Sequence, residues 1–391
     1  MEELRFETQA IRTQADRSQY DEHSVPMFLT SSFVFEDAEE MRATFADEKQ
    51  RNIYSRFSNP NLQEFVDKLC LLEGAEAGVA TATGMAAVFS TFMAHLKQGD
   101  HMLSSRAVFG STHNVLMQTL PEYGITTTYG DVNDPESWEA LVKPETKLLY
   151  VETPSNPGVE VLDLAWLRDF CTRHQLIYVV DNCFATPYLQ KPIDFGADLV
   201  IHSATKWIDG QGRVLGGGVV GKAELIKPIF TFVRRTGPSM SPFNAWVLSK
   251  SLETLHVRMD RHCSNALTLA QRLESHPDVK QVRYPFLKSH PQMEVARRQM
   301  RAGGGIVSFE LDGGVARGRR FLDALQVCSL TANLGDSRTI ASHPASTTHA
   351  KLTEEERLAA GIPPGLIRIS VGLEHIEDLA GDIWQAIKVS R

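Results

Sequence analysis

The sequence predicts an α/β protein: a mostly parallel sheet with helices between its strands, followed by a second, smaller domain. Short apolar runs at 147–152, 176–181 and 199–202 alternate with helical segments, the succession expected of parallel crossover units. The run 176–181 is apolar until its closing Asp181, which marks a buried strand. A chain of 391 residues also exceeds what one hydrophobic core serves.

Residues 1–58 mix charges, turn residues and short apolar patches with no period long enough to build a core, so they form an arm that packs on something else. The arm closes in Tyr54-Ser-Arg56-Phe-Ser-Asn-Pro60. A guanidinium beside a phenol there suits a phosphate, or marks a surface turn. A helix follows from Leu62 to Glu73, then a small-residue strand at 77–82. At Thr83-Gly84-Met85 the chain turns from strand into helix; unpaired N–H groups could cradle a phosphate, and ordinary capping explains the turn equally well. His101–Ser105 is a strand, and the helix opened after Arg106 has Phe109 at its corner, on a cofactor ring or in the core. Strands at 125–129 and 147–152 flank a short helix from Pro135, and the prolines after Glu152 leave Asn156 on a loop.

An amphipathic helix at 164–174 leads into the strand that ends in Asp181. That carboxylate could face a ring nitrogen or cap the turn at Asn182. Beyond Gly221 come helices at 225–235 and 243–276, a strand at 305–311, a helix at 318–325, a loop at 332–349, a strand at 366–371 and a closing helix at 376–388. Arg368 alternates with Ile367 and Ile369, so its side chain points away from theirs, to grip a carboxylate or to meet solvent.

A net charge of −8 argues against nucleic-acid or anionic-membrane partners. The five cysteines form no Cys-x-x-Cys pair and suggest no disulfide framework. Histidines 256, 262, 343 and 349 lack ligand spacing, so no metal is expected. With no secretory signal and no apolar run of membrane length, the chain reads as a cytoplasmic protein.

The stretch from Leu199 to Val220 carries the chemistry. A buried strand ends in Ser203-Ala-Thr205-Lys206 before a glycine-rich turn, placing an amine and two hydroxyls where open α/β sheets bind ligands. A partly desolvated lysine can form a Schiff base with an aldehyde, and the hydroxyls can hold a phosphate. A solvated loop lysine is the alternative.

In order along the chain, Tyr-Ser-Arg-x-x-Asn-Pro (54–60), Thr-Gly-Met-Ala-Ala (83–87), Phe-Gly (109–110), Glu-Thr-Pro-Ser-Asn-Pro (152–157), Val-Asp-Asn (180–182), Ser-Ala-Thr-Lys (203–206) and Arg-Ile-Ser-Val-Gly-Leu-Glu (368–374) stand together. This series resembles the cysteine/methionine-metabolism family of pyridoxal-phosphate enzymes. The resemblance implies the aspartate-aminotransferase-like fold type I: a mostly parallel seven-stranded sheet with helices on both faces and a smaller α/β C-terminal domain. It divides the chain into the arm 1–58, a cofactor domain 59–250 and a C-terminal domain 251–391.

It further implies that Lys206 carries pyridoxal 5'-phosphate covalently and is catalytic, that Asp181 pairs with the pyridine nitrogen, and that Asn156 lies near the phenolic oxygen. Phe109 would stack on the ring. Gly84, Met85, Ser203 and Thr205 would hold the phosphate, while Tyr54 and Arg56 would reach the phosphate of a neighbouring subunit in a homotetramer with shared sites. Asn333 and Arg368 would bind the substrate, Arg368 at its α-carboxylate.

Phe109 stands where many members have tyrosine, Cys183 where threonine is common, and Asn333-Leu-Gly-Asp336 where many read Ser-Leu-Gly-Gly. The combination resembles the branch that performs γ-replacement on O-succinylhomoserine with sulfide, giving homocysteine and succinate. The acetyl ester, cysteine as sulfur donor, elimination from cystathionine or methionine, and a non-catalytic scaffold are the alternatives. A succinyl tail calls for a second cation, with Arg51, Arg106 and Arg338 as candidates.

Overall fold

The computed structural model describes residues 4–348, 350, 353–359 and 361–391; His349 lies outside the described residues. Seven strands form the larger sheet: β1 (Ala77–Thr81), β2 (His101–Ser105), β3 (Thr126–Gly130), β4 (Thr146–Glu152), β5 (Ile177–Asp181), β6 (Leu199–His202) and β7 (Gly217–Gly221). Their spatial order is β1-β7-β6-β5-β4-β2-β3. Only β7 runs against its neighbours β1 and β6; the rest pair in parallel.

Each central strand serves two cores. Leu148 and Tyr150 of β4 enter the core beneath helices Gly84–His95 and Ala223–Thr236, whereas Leu149 and Val151 enter the one beneath helices Pro60–Glu73 and Leu164–His174. Burial on both faces explains why the middles of these strands are runs of consecutive apolar residues, and each such leucine contributes about 1.5–3 kcal/mol.

The second sheet is β10-β11-β12-β9-β8, built from β8 (Val279–Arg283), β9 (Ile306–Leu311), β10 (Ser329–Leu330), β11 (Ile340–Ser342) and β12 (Leu366–Ser370). Ile367 and Ile369 pack with Leu269, Phe309, Phe321 and Ile383 in its own core, which turns Arg368 to the opposite face.

Three expectations need correction. The helix expected over 243–276 is two helices, Pro242–Leu252 and Leu255–Glu274. The glycine-rich turn after Lys206 contains β7, and the loop expected at 332–349 contains β11. Glycines make β7 fit: a Cβ at Gly217 would stand 2.2 Å from the Thr83 carbonyl oxygen, and one at Gly218 2.7 Å from Leu69 Cδ2.

The arm is pinned to the start of helix Pro60–Glu73, where Asn59 donates to the Phe28 carbonyl and Asn61 to that of Pro26. It still leaves Tyr20, Leu29 and Val34 at 80%, 65% and 87% exposure. No described helix is long and apolar enough to cross a membrane.

Candidate active site

The carboxyl ends of β4, β5 and β6 converge with β12 and the segment before β11. Lys206 sits in the turn after β6, its backbone N–H donating to the Ser203 carbonyl at 3.2 Å. The following carbonyls are clamped by buried Arg258, which donates to Trp207 at 2.6 Å and Ile208 at 3.1 Å. With the backbone fixed, Lys206 Nζ reaches Asn333 Oδ1 at 2.6 Å. Burial holds the ammonium pKa below its ordinary value, and the Arg368 charge adds to the effect while Cys183 opposes it. A lowered pKa leaves more of the amine neutral near pH 7, the form that can act as nucleophile or accept a proton.

Arg368 is only 4% exposed. Its Nη1 donates to Asn156 Oδ1 at 3.0 Å and its Nη2 to the Asn333 carbonyl at 3.1 Å, while the buried Nε has no partner. Among the described residues no carboxylate pairs with it, and burial lowers its pKa to about 10. Of the two readings of this arginine, the solvent-facing one is therefore overturned. A buried guanidinium held by two neutral oxygens, with a donor to spare, is built to receive an anion. Asn333 joins it to Lys206, its side chain serving the amine and its carbonyl the guanidinium.

Asp181 closes β5. Its Oδ1 caps the turn by accepting from the Cys183 N–H at 3.0 Å, and its Oδ2 accepts from the Tyr150 hydroxyl at 3.1 Å. Burial raises its pKa. Directly beside it in register, Glu152 closes β4 and accepts from the Phe109 N–H at 2.9 Å.

Helix Gly84–His95 starts against β6. Thr83 Oγ1 caps it by accepting from the Ala86 N–H at 3.0 Å. A Cβ on Gly84 would lie 2.6 Å from Ser203 Cβ, so only glycine brings the helix end this close to the strand. That end presents the Gly84 and Met85 N–H groups beside the Ser203 hydroxyl, a geometry that favours an anion. Thr205 is committed elsewhere, its hydroxyl donating to the Gly216 carbonyl at 3.2 Å and accepting from the Gly216 N–H at 3.0 Å.

Phe109 occupies the N-cap of helix Gly110–Asn114 with its ring 40% exposed. The Arg56 guanidinium lies over its own neighbours Tyr54 and Phe57, at 5.3 and 5.1 Å from the ring centroids. Among the described residues no hydrogen bond or ring contact joins Tyr54 or Arg56 to Lys206, Gly84 or Ser203 of the same chain. Of the three outer arginines, Arg51 pairs with Glu40, and Arg338 holds Asp336 through two bonds of 2.8 and 2.9 Å. Arg106 lies over the Tyr129 ring at 5.6 Å, with no carboxylate partner among the described residues.

The residues fit pyridoxal phosphate. A buried amine of lowered pKa, a buried carboxylate, a glycine cradle that a Cβ would fill and an arginine with an orphaned donor match an aldehyde, a ring nitrogen, a phosphate and a substrate carboxylate. Fold and site together define an enzyme of the pyridoxal-phosphate fold type I class.

The chain belongs to the family of Cys/Met metabolism PLP-dependent enzymes, whose sequence pattern matches residues 7–388. It is 47% identical over 387 residues to the O-succinylhomoserine sulfhydrylase of Pseudomonas aeruginosa, covering 99% of this chain and 96% of that one. It is 44% identical to the enzyme of the same name from Mycobacterium tuberculosis, over 95% and 93% of the two chains. The L-methionine gamma-lyase of Porphyromonas gingivalis is 42% identical, over 97% and 96%.

Among solved structures, a Campylobacter jejuni chain assigned as an O-acetylhomoserine (thiol)-lyase, carrying pyridoxyl-lysine phosphate, superposes with a TM-score of 0.95. It is 33% identical, over 98% of this chain and 100% of that one. The cystathionine gamma synthase of Xanthomonas oryzae, in complex with aminoacrylate and cysteine, gives 0.94 at 36% identity, over 99% and 98%.

Sequence reasoning passed over Glu152, Tyr150 and Arg258. Glu152 carried the same signal as Asp181, a carboxylate closing an apolar strand. Tyr150 and Arg258 carried none, being one more aromatic in a strand and one more arginine on a helix.

Proposed function

We propose that the chain catalyses γ-replacement on O-succinylhomoserine with sulfide, releasing homocysteine and succinate in methionine biosynthesis. The observation that carries this reading is the Lys206–Asn333–Arg368 arrangement, a base and a carboxylate receptor joined through one asparagine. Two O-succinylhomoserine sulfhydrylases among the relatives support the substrate.

When bound to Lys206, pyridoxal phosphate supplies an electron sink for charge developing at Cα. The residues do the rest. Arg368 would take the α-carboxylate and so aim Cα and Cβ at Lys206. The lysine amine would remove the Cα proton and then a Cβ proton, leaving at Cβ the electron pair that breaks the Cγ–O bond, and would return protons to Cβ and Cα after sulfide adds. Phe109 offers an apolar face and no proton, so proton transfer falls on Lys206. Succinate departs from Cγ as a carboxylate that needs little acid assistance, and sulfide takes its place. Of the three candidate arginines we assign the distal carboxylate to Arg106; the pairing of Arg51 with Glu40 and of Arg338 with Asp336 supports that choice.

The arm 1–58, the cofactor domain 59–250 and the C-terminal domain 251–391 then have distinct tasks. Exposed Tyr20, Leu29 and Val34 support an arm that is covered by another copy, where Tyr54 and Arg56 reach the neighbour's phosphate in a cytoplasmic homotetramer.

A second reading, elimination from methionine, draws on the lyase relatives, and Phe109 weighs against it because thiolate departure benefits from a proton donor. The deciding experiment measures kcat/KM for succinyl and acetyl homoserine esters with sulfide or cysteine. A succinyl ester outpacing the acetyl ester supports the proposal. Faster turnover of the acetyl ester, or 2-oxobutyrate from methionine outpacing homocysteine formation, overturns it.

A further inference from the structure

Glu152 has no role in the scheme above, yet it is 4% exposed and stands in direct register with Asp181 across β4 and β5. In-register residues of neighbouring parallel strands face the same way with their backbones about 4.8 Å apart. Two carboxyl groups therefore stand side by side at the floor of the site. Asp181 has two donors of its own, the Cys183 N–H and the Tyr150 hydroxyl. Glu152 instead faces the loops: its Oε2 accepts from the Phe109 N–H at 2.9 Å, and the Asn156 backbone lies beside the same carboxyl group, where it acts to lower that group's pKa. Phe109 and Asn156 lie on separate loops after β2 and β4, and this one side chain stands between both.

We propose that Glu152 is a positioning residue of the site, fastening the ring-stacking loop of Phe109 and the Asn156 loop to the strand end beside Asp181. The inference rests on the reading of Lys206 and Asp181 as the cofactor's partners. Two adjacent buried carboxylates cannot both ionise, so the pair carries one negative charge. Burial first, and the Asp181 charge second, push Glu152 well above the usual carboxylate range. Burial raises Asp181 as well, but Asp181 accepts from both the Cys183 N–H and the Tyr150 hydroxyl, and these two donors favour leaving the proton on Glu152. The other titratable groups around the pair are Tyr150, Cys183, His202 and Lys206. Neutral Glu152 thus leaves Asp181 as the anion that would pair with the pyridine nitrogen while keeping an oxygen for the Phe109 N–H.

The test compares Glu152→Gln and Glu152→Ala holoenzymes by visible circular dichroism, which reads the tilt of the bound ring, and by the pH midpoint of the colour change. Far-UV circular dichroism checks the fold. Glutamine keeps a neutral acceptor, so Glu152→Gln should retain the dichroic band and a midpoint within about 0.3 units of the parent. Alanine frees both loops, so Glu152→Ala should lose about half the band or more, and kcat should fall about tenfold with KM changed less.

An unchanged band in Glu152→Ala overturns the inference. A Glu152→Gln protein as perturbed as Glu152→Ala overturns it too, because an anion would then be what the site requires. Lys206→Ala separates the levels. If that protein keeps the holoenzyme band after dialysis, the reading of the site fails and this inference fails with it. A colourless Lys206→Ala beside an unperturbed Glu152→Ala overturns the inference alone.

Discussion

Replacing Arg368 by methionine removes a cation and keeps most of the side-chain volume. The guanidinium is buried with no carboxylate partner among the described residues, held by Asn156 Oδ1 at 3.0 Å and the Asn333 carbonyl at 3.1 Å. A substrate carboxylate at about 4 Å, with an effective dielectric constant of about 20, interacts with it by about 4 kcal/mol. That corresponds to a loss of about 10³-fold in kcat/KM. The assay is steady-state turnover of the homoserine ester, joined to binding of its analogue lacking the α-carboxylate, the 3-aminopropyl ester. The parent should discriminate between the two by about 10³ and the variant hardly at all. Stability gives an independent arm. Removing a buried charge that has no counter-ion relieves a desolvation cost, which offsets the two lost hydrogen bonds, so the net change should lie within about 2 kcal/mol of zero. A variant that loses less than tenfold in kcat/KM, or still discriminates, refutes the carboxylate assignment. One that unfolds by several kcal/mol shows instead that Arg368 ties Asn156 to Asn333.

Gly84→Ala pushes a Cβ to 2.6 Å from Ser203 Cβ, an overpacking of about 1–3 kcal/mol that should weaken cofactor retention ten- to a hundredfold in a titration of the apoenzyme. Phe109→Tyr restores a proton donor at the ring, and 2-oxobutyrate formation should rise about tenfold or more relative to replacement. Arg106→Ala should raise KM for the succinyl ester and leave the acetyl ester unaffected; equal effects on both would remove Arg106 from the distal subsite. His262 packs edge-on against Trp207 at 4.7 Å, and burial lowers its pKa from 6.5 to about 4. Its folded pKa is depressed, so its contribution is fully present above pH 6.5 and is lost as pH falls toward 4, up to about 3 kcal/mol. Melting curves of the parent and His262→Asn between those pH values should show a shallower slope in the variant.

The large sheet was legible because the middles of β4, β5 and β6 are buried on both faces and so carry consecutive apolar residues. β7 was not, because three of its five residues are glycines, whose task is close approach to Thr83, Leu69 and Asp198. A residue chosen for its small size leaves no hydrophobic signal. Lys206 and Asp181 were legible because polar groups at the ends of apolar strands are costly unless used. Glu152 satisfied the same rule and went unread. For Arg368, alternation fixed the direction of the side chain and left its burial undecided, since the cover comes from Asn156 and Asn333, 212 and 35 residues away. The proposed reach of Tyr54 and Arg56 into a second copy is a geometry that one chain does not display.

That last point has an electrostatic reason. The cradle at Gly84, Met85 and Ser203 offers N–H groups, a hydroxyl and a helix end worth about half an elementary charge, against a phosphate that carries nearly two. Lys206 is turned to Asn333 and Arg368 to Asn156 and Asn333, while Thr205 spends its hydroxyl on Gly216. Among the described residues no lysine or arginine side chain hydrogen-bonds to Ser203, Thr205 or Gly84. One chain thus answers the shape of the phosphate and only part of its charge. Among the described residues Arg56 meets aromatic faces alone, on an arm that leaves Tyr20, Leu29 and Val34 in solvent. The proposed crossing of the arm to a second copy settles both imbalances at once, covering the apolar side chains and bringing the guanidinium to the anion. On this proposal a shared site would follow from charge balance, and cofactor binding and assembly would be thermodynamically linked.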